Sequence, residues 1–226
     1  MKAYIAWCLS WLAEGIVLLC HLHDKVVDGI RAIWPSSKSF LKKKVFNIKG
    51  STDNDRDTVY LKRYVVFQTK KRRLYIHRFL RSDYPVFHDH PWKGIFVHLR
   101  NTYTEEVLVK DARVTDALQV YARLQGKGWF QIVSKTRSLL DVTSIDQTHI
   151  HRVTLDKEYH NEPWKAPLTL AWCGERDKNS EGKDDWGFWV QAEYPEKWPG
   201  LKFYSREHWM DHLKVTQSNL DKKASH

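Results

Sequence analysis

The sequence is poor in the residues that staple small secreted folds. Its 226 residues include three cysteines, Cys8, Cys20 and Cys173. The number is odd and no Cys-x-x-Cys occurs. A disulfide framework and a cysteine zinc finger are therefore not expected, and a reducing compartment is favoured. Proline is sparse, and none appears before Pro35. There is no Walker loop, no Gly-x-Gly-x-x-Gly, no Gly-x-Ser-x-Gly and no His-Glu-x-x-His, so nucleotide hydrolysis and serine-hydrolase chemistry lack support. No repeat of solenoid type is visible. Acidic residues are outnumbered, 27 against 37 Lys and Arg, for a net charge of +10. That balance favours anionic partners such as phospholipid, nucleic acid or an acidic substrate, although a solvated basic surface gives the same total.

Aromatic residues are abundant: 11 Trp, 10 Tyr and 9 Phe. They suit strands and an apolar pocket. The length allows one sizeable domain plus an appendage.

Residues 3–34 form the first unit. Ile5, Leu9, Leu12, Ile16, Leu19, His23, Val26, Ile30 and Ile33 alternate spacings of four and three, a heptad seam broken only by His23. From Ala3 to Leu22 the flanks are apolar too, with Glu14 the only charge, whereas Asp24, Lys25, Asp28 and Arg31 follow. A helix apolar all round is buried in protein or lipid, and about 20 such residues can span a bilayer. Three readings stand: a membrane anchor running into an amphipathic helix, a helix packed on the domain or on a sister helix, and a cleaved signal peptide. The last lacks a small-x-small site. As an anchor, its basic flank (Lys25, Arg31, Lys38, Lys42, Lys43, Lys44) would keep the domain cytoplasmic, on the inner face of the membrane, and attract anionic headgroups.

Residues 35–57 read as linker around a short strand, Val45–Ile48. From Thr58 the pattern is that of strands, at Val59–Gln68, Arg73–Leu80, Trp92–Leu99, Tyr103–Val109, Ala117–Arg123, Trp129–Ser134, Ser138–Ser144, Ile150–Leu155, Pro167–Cys173 and Trp186–Gln191. Short strands at this spacing mean a sandwich or barrel over residues 58–205. A short helix is expected over 206–214, then a frayed tail. The run Lys70-Lys71-Arg72-Arg73 reads as a hairpin tip, ordinary for a solvated turn, so nucleic acid is not the expected partner.

Two His-x-His pairs organise the rest. His88-Asp89-His90 precedes an apolar run, and His149-Ile150-His151 precedes another. On a strand, residues i and i+2 share a face, so each pair projects together, as ligands of one metal must. Neutral imidazole suits Fe, Mn, Ni, Cu and Zn. The set is His88, His90 and His151, with His149, Glu105 or Glu106 open as the fourth ligand.

The segments from Leu74 to Asp83, His88-Asp89-His90-Pro91-Trp92, His151-Arg152-Val153, Leu168-Thr169-Leu170 and Trp186-Gly187-Phe188 resemble the cupin superfamily, more narrowly small, largely uncharacterised cupin-like proteins of bacteria and phages. The resemblance covers roughly residues 58–205. It implies a mainly β fold, a double-stranded β-helix or jelly-roll barrel, with metal ligands at His88, His90 and His151. The family's usual glutamate after the second histidine is missing; Trp92, Lys93, Gly94 and Ile95 stand there. Arg78, Arg81 and Arg152 neighbour the ligands in sequence, and a guanidinium can grip a carboxylate or phosphate. Tyr75, Tyr103, Trp92 and Trp186 could line the pocket or the core.

The reading reached is a metal-dependent enzyme of Fe(II) oxygenase type, with Zn, Mn or Ni as other ions, acting on a small anionic substrate. Arg78 or Arg152 would orient that substrate, and Glu105 would assist. An isomerase or epimerase on the same barrel, and a non-catalytic membrane-associated ligand-binding or sensing cupin, are the alternatives. A homodimer is expected from barrel pairing and the heptad helix.

Overall fold

The computed structural model describes residues 1–33, 43–49, 59–83, 86–110, 121–124, 128–146, 148–176, 187–191 and 200–205. Helix α1 (Lys2–Ile33) is followed by β1 (Val45–Lys49), β2 (Val59–Gln68), β3 (Arg73–Phe79), β4 (Phe87–His88), β5 (Trp92–Arg100), β6 (Tyr103–Lys110), β7 (Tyr121–Leu124), β8 (Gly128–Arg137), β9 (Val142–Ile145), β10 (His151–Thr154), β11 (Leu168–Arg176), β12 (Gly187–Gln191) and β13 (Gly200–Ser205). The mainly β reading holds. The expected helix over 206–214, residues 117–120 and Trp186 lie outside the described residues. Most strand ends lie within a few residues of expectation; one start moves further, and two strands were not expected. Residues 138–141 form a turn, its bend closed by the Asp141 side chain accepting from the Ser138 N–H, so that strand starts at Val142. The two-residue β4 and the strand β13 carry too short or too mixed a pattern to read from sequence.

The strands form two sheets. One has six strands in the order β1-β2-β3-β11-β5-β9; in the other β10, β4, β12, β13, β7, β8 and β6 close into a ring. Pairing is antiparallel except between β13 and β7. Strand alternation sorts the six-stranded sheet into two faces. Leu61, Val65, Tyr75, Phe79, Phe96 and Ala171 turn inward, toward Tyr103 and Val153 of the other sheet. Tyr64, Ile76, Leu99 and Leu168 turn outward and pack under α1.

The helix docks by a face other than its heptad seam. Its buried positions are Ala6, Ala13, Val17, Cys20, Asp24 and Val27, mostly small residues that let helix and sheet approach closely. Glu14 is clamped there, accepting from Arg78 Nη2 and Arg100 Nη1 at 2.6 Å each. The Asp24 carboxylate accepts the Lys44 and Val45 amides where β1 begins. Of the seam, Ile16 is half-buried against the sheet, while Ile5, Leu9, Leu12, Leu19, Val26, Ile30 and Ile33 are exposed, as are Trp7 and Trp11.

Candidate metal centre

The first histidine pair straddles the end of β4. His88 is its last residue and pairs with His151 across the ladder, while His90 lies in the connection to β5. Asp89, between them, points the other way. Its carboxylate accepts the Gly187 N–H at 2.7 Å and its own N–H donates to the Gly187 carbonyl, pinning β4 to β12. Pinning the middle residue fixes the direction of both neighbours. His151 opens β10, and ring centroids of His88, His90 and His151 lie 4.7–5.0 Å apart. One ligand nitrogen from each lies within 4.8 Å of the others.

The donor set fits a divalent metal. Imidazole nitrogens bind first-row ions at about 2.1 Å, which places cis ligands roughly 3 Å apart. Nε2 of His90 and of His151 are 2.8 Å apart. His151 Nδ1 stands 2.5 Å from Glu105 Oε1; as the carboxylate can only accept, the proton sits on Nδ1 and the Nε2 lone pair faces the cluster. Burial holds His88 and His90 well below the ordinary imidazole range, with the neighbouring histidines adding to the effect; burial also lowers His151, against the pull of Glu105. All three are therefore neutral near pH 7, the form that can bind a metal.

Two carboxylates stand behind the rings, and their environments oppose each other. Burial would raise Glu105, but hydrogen bonds from His149 and His151 and the charge of Arg137 hold it far below the usual carboxylate range. His149 Nε2 is 2.8 Å from the oxygen that serves His151, and Arg137 Nε donates to the other at 2.5 Å. Asp83 is raised well above the usual range by burial, despite the amide of Val153 donating to it. Its Oδ2 lies 3.4 Å from His88 Nδ1.

The other expected site residues fall as follows. His149 joins His151 and Glu105 in a second group of ligand atoms within 4.8 Å, one that excludes His88 and His90. Glu106 points to the opposite face of β6 and pairs with Arg152. Arg152 cannot reach the histidine face, because alternation on β10 turns it away from His151 and over the Phe87 ring. Arg78 is likewise on the outer face of its sheet, held by Glu14. Substrate orientation by Arg78 or Arg152 is thus corrected by strand parity. Trp92 packs beside His90, centroids 5.5 Å apart, and Tyr103 lies on Phe79 and His98. Gly94 faces inward, and a Cβ there would sit 3.0 Å from the Trp172 carbonyl oxygen.

Three inward residues were not singled out from the sequence: Arg63, His77 and His98. Each sits at the inward parity of an apolar strand, a signal the sequence carries. Arg63 stands between Leu61 and Val65, and His77 between Tyr75 and Phe79.

Two stacked sheets with clustered imidazoles at the end of β4 and the start of β10 decide the fold type. The fold is of the jelly-roll type found in cupins. No protein-family model and no curated protein matches it. Among similar solved structures is the DMSP lyase DddQ from Ruegeria pomeroyi, at 10% identity and a TM-score of 0.34, covering 52% of this chain and 48% of the lyase. This chain thus spans about half the length of that lyase. Iron(II) HppE in complex with substrate overlaps at 9% identity and a TM-score of 0.37, over 57% of this chain and 56% of the other. An RmlC-like cupin from Shewanella frigidimarina overlaps at 10% identity and 0.33, over 57% and 83%. Scores and identities this low carry no activity across.

Proposed function

We propose that the protein is a metal-dependent cupin-type enzyme acting on a small anionic molecule, of Fe(II) oxygenase type. The observation that carries this reading is the convergence of three neutral imidazoles, one of them backed by an ionised buried carboxylate. When bound, an Fe(II) ion would supply a Lewis-acidic centre with open positions for O2 and substrate. Glu105 keeps the His151 tautomer that presents Nε2, and Asp83 orients His88. Phe96 and Trp92 flank His90 and give it an aromatic wall. Metal analysis of protein purified without added metal tests the reading. About one equivalent of iron, absent from His88→Ala, is expected. Zinc, manganese or nickel with no O2 uptake would favour the isomerase alternative, and no metal would leave only a non-catalytic ligand-binding barrel.

A second reading concerns location. The exposed seam of α1, with Trp7 at 58% and Trp11 at 64% exposure, points to an anionic bilayer as its cover. By length and composition α1 could cross a membrane. Crossing would tear Glu14 from Arg78 and Arg100, whereas lying in the interface leaves that clamp intact. Tyr4, Trp7 and Trp11 form a contiguous aromatic row of the kind that settles at headgroups. In flotation assays the protein should bind vesicles with phosphatidylserine more tightly than neutral ones, and Trp7→Ser with Trp11→Ser should weaken binding. A concentration-dependent dimer that masks α1 without vesicle binding would show that a second copy covers the face.

A further inference from the structure

Most arginines that the structure describes have acidic or carbonyl partners. Arg78 and Arg100 share Glu14, Arg137 holds Glu105, Arg152 holds Glu106, and Arg73 donates to the Gly174 and Lys70 carbonyls. Arg63 is different. Its position between Leu61 and Val65 points it into the space between the sheets. It lies opposite His77 in the β2–β3 ladder, and its Nε donates to His77 Nε2 at 3.0 Å. Its Cζ sits 4.9 Å from the Tyr75 ring centroid. His77 stacks on Tyr75 with an interplanar angle of 16° and meets Phe79 and Phe96 on its other sides. The guanidinium is therefore fixed at Nε and along one face, and both terminal nitrogens remain for a ligand. No carboxylate among the described residues neutralises it.

Arg63 is half-buried, and a cation partly withdrawn from water without a counter-ion carries a cost that falls when an anion binds. Burial already pulls Arg63 below its usual range, with the positive charge of Arg176 on the same side. His77 and Phe96 connect this wall to the metal centre: Phe96 lies 6.0 Å from the His77 ring and 6.4 Å from the His90 ring. A planar fork at this place matches the two oxygens of a carboxylate or phosphate.

We infer that Arg63, braced by His77 and Tyr75, anchors the oxyanion end of a small molecule whose other end reaches His88, His90 and His151. The inference rests on reading those histidines as the metal centre, and it replaces Arg78 and Arg152 as the substrate's cationic partner. The guanidinium binds and orients; the anion enters and leaves without covalent change.

The test uses the full chain, metal-depleted, with inorganic phosphate and malonate as probes in titration calorimetry. At least one probe should bind the wild type. Arg63→Met should weaken that probe about tenfold or more, and Arg63→Lys, which keeps charge but not the fork, should weaken it less. Preference for phosphate or malonate tells which oxyanion the substrate carries. Metal content after reloading should be the same in Arg63→Met and wild type. His88→Ala should lose the metal yet still bind the probe. Equal probe binding in wild type and Arg63→Met, or none in the wild type, overturns the inference; so does metal loss in Arg63→Met. If Arg63→Met fails to fold by circular dichroism, Arg63→Lys decides, and binding unchanged from wild type overturns it. A wild type that takes up no metal but binds the probe through Arg63 would sink the metal reading and leave the anion site standing.

Discussion

At the scale of single residues, the proposed centre rests on carboxylates that stand behind its imidazoles. Glu105 accepts from both histidines of the second pair and from Arg137, so one side chain sets the tautomer of a ligand and the position of its neighbour. Glu105→Gln keeps the shape but loses the charge that stabilises the His151 Nδ1–H. Metal affinity, read by competition with a chelator, should fall about 10- to 100-fold, with His88 and His90 still in place. The sequence made the histidine pairs legible because period-two spacing survives any choice of register. As a ligand it left Glu105 open beside His149 and Glu106, and it gave Glu105 an assisting role rather than that of a partner to His151, since choosing between Glu105 and Glu106 needs the parity of β6. That parity is fixed by Tyr103 and Val107 turning inward, which the mixed pattern of the strand does not announce.

At the scale of elements, α1 shows that a helix's most regular apolar stripe need not be the face its own sheet takes. The heptad seam predicts a helix, and the helix is there, but the sheet takes the small-residue face. Close packing under Ala6, Ala13 and Cys20 and the ion-pair at Glu14 outcompete the larger side chains for the sheet, because Arg78 and Arg100 need an acid where they emerge. Glu14→Ala should therefore cost about 3 kcal/mol in urea unfolding, as removing one partner leaves buried Arg78 uncompensated. The same variant should expose the Arg31 region to trypsin earlier than the barrel. The arginines misled for a related reason. Nearness in sequence to a ligand says nothing of side, and adjacent strand residues face opposite ways.

For the whole molecule, acid is the revealing condition. His98 is fully buried, with Nε2 3.4 Å from the Tyr103 hydroxyl, and burial together with Arg137 lowers it from 6.5 to about 4. Above pH 6.5 the ring is neutral folded or unfolded and contributes nothing to the pH dependence. Between about 6.5 and 4 only the unfolded chain takes the proton, so stability falls with pH, by roughly 3 kcal/mol in full. His77 shifts in the same direction. The urea midpoint of the metal-free protein should drop steeply across this window, and His98→Gln should flatten the drop; a flat profile in the wild type would contradict the burial of these rings. Strand spacing made a sandwich or barrel legible, and the resemblance implied the jelly-roll barrel, whereas the strands β4 and β13 that complete the ring were not legible, because they are specified by long-range pairing rather than by local pattern. Along β3, Ile76 and Arg78 belong to the helix side while Tyr75, His77 and Phe79 belong to the cavity side. Two tenants share one party wall a single backbone thick, so a load that rocks the outer helix tilts the very peptides that carry the inner rings.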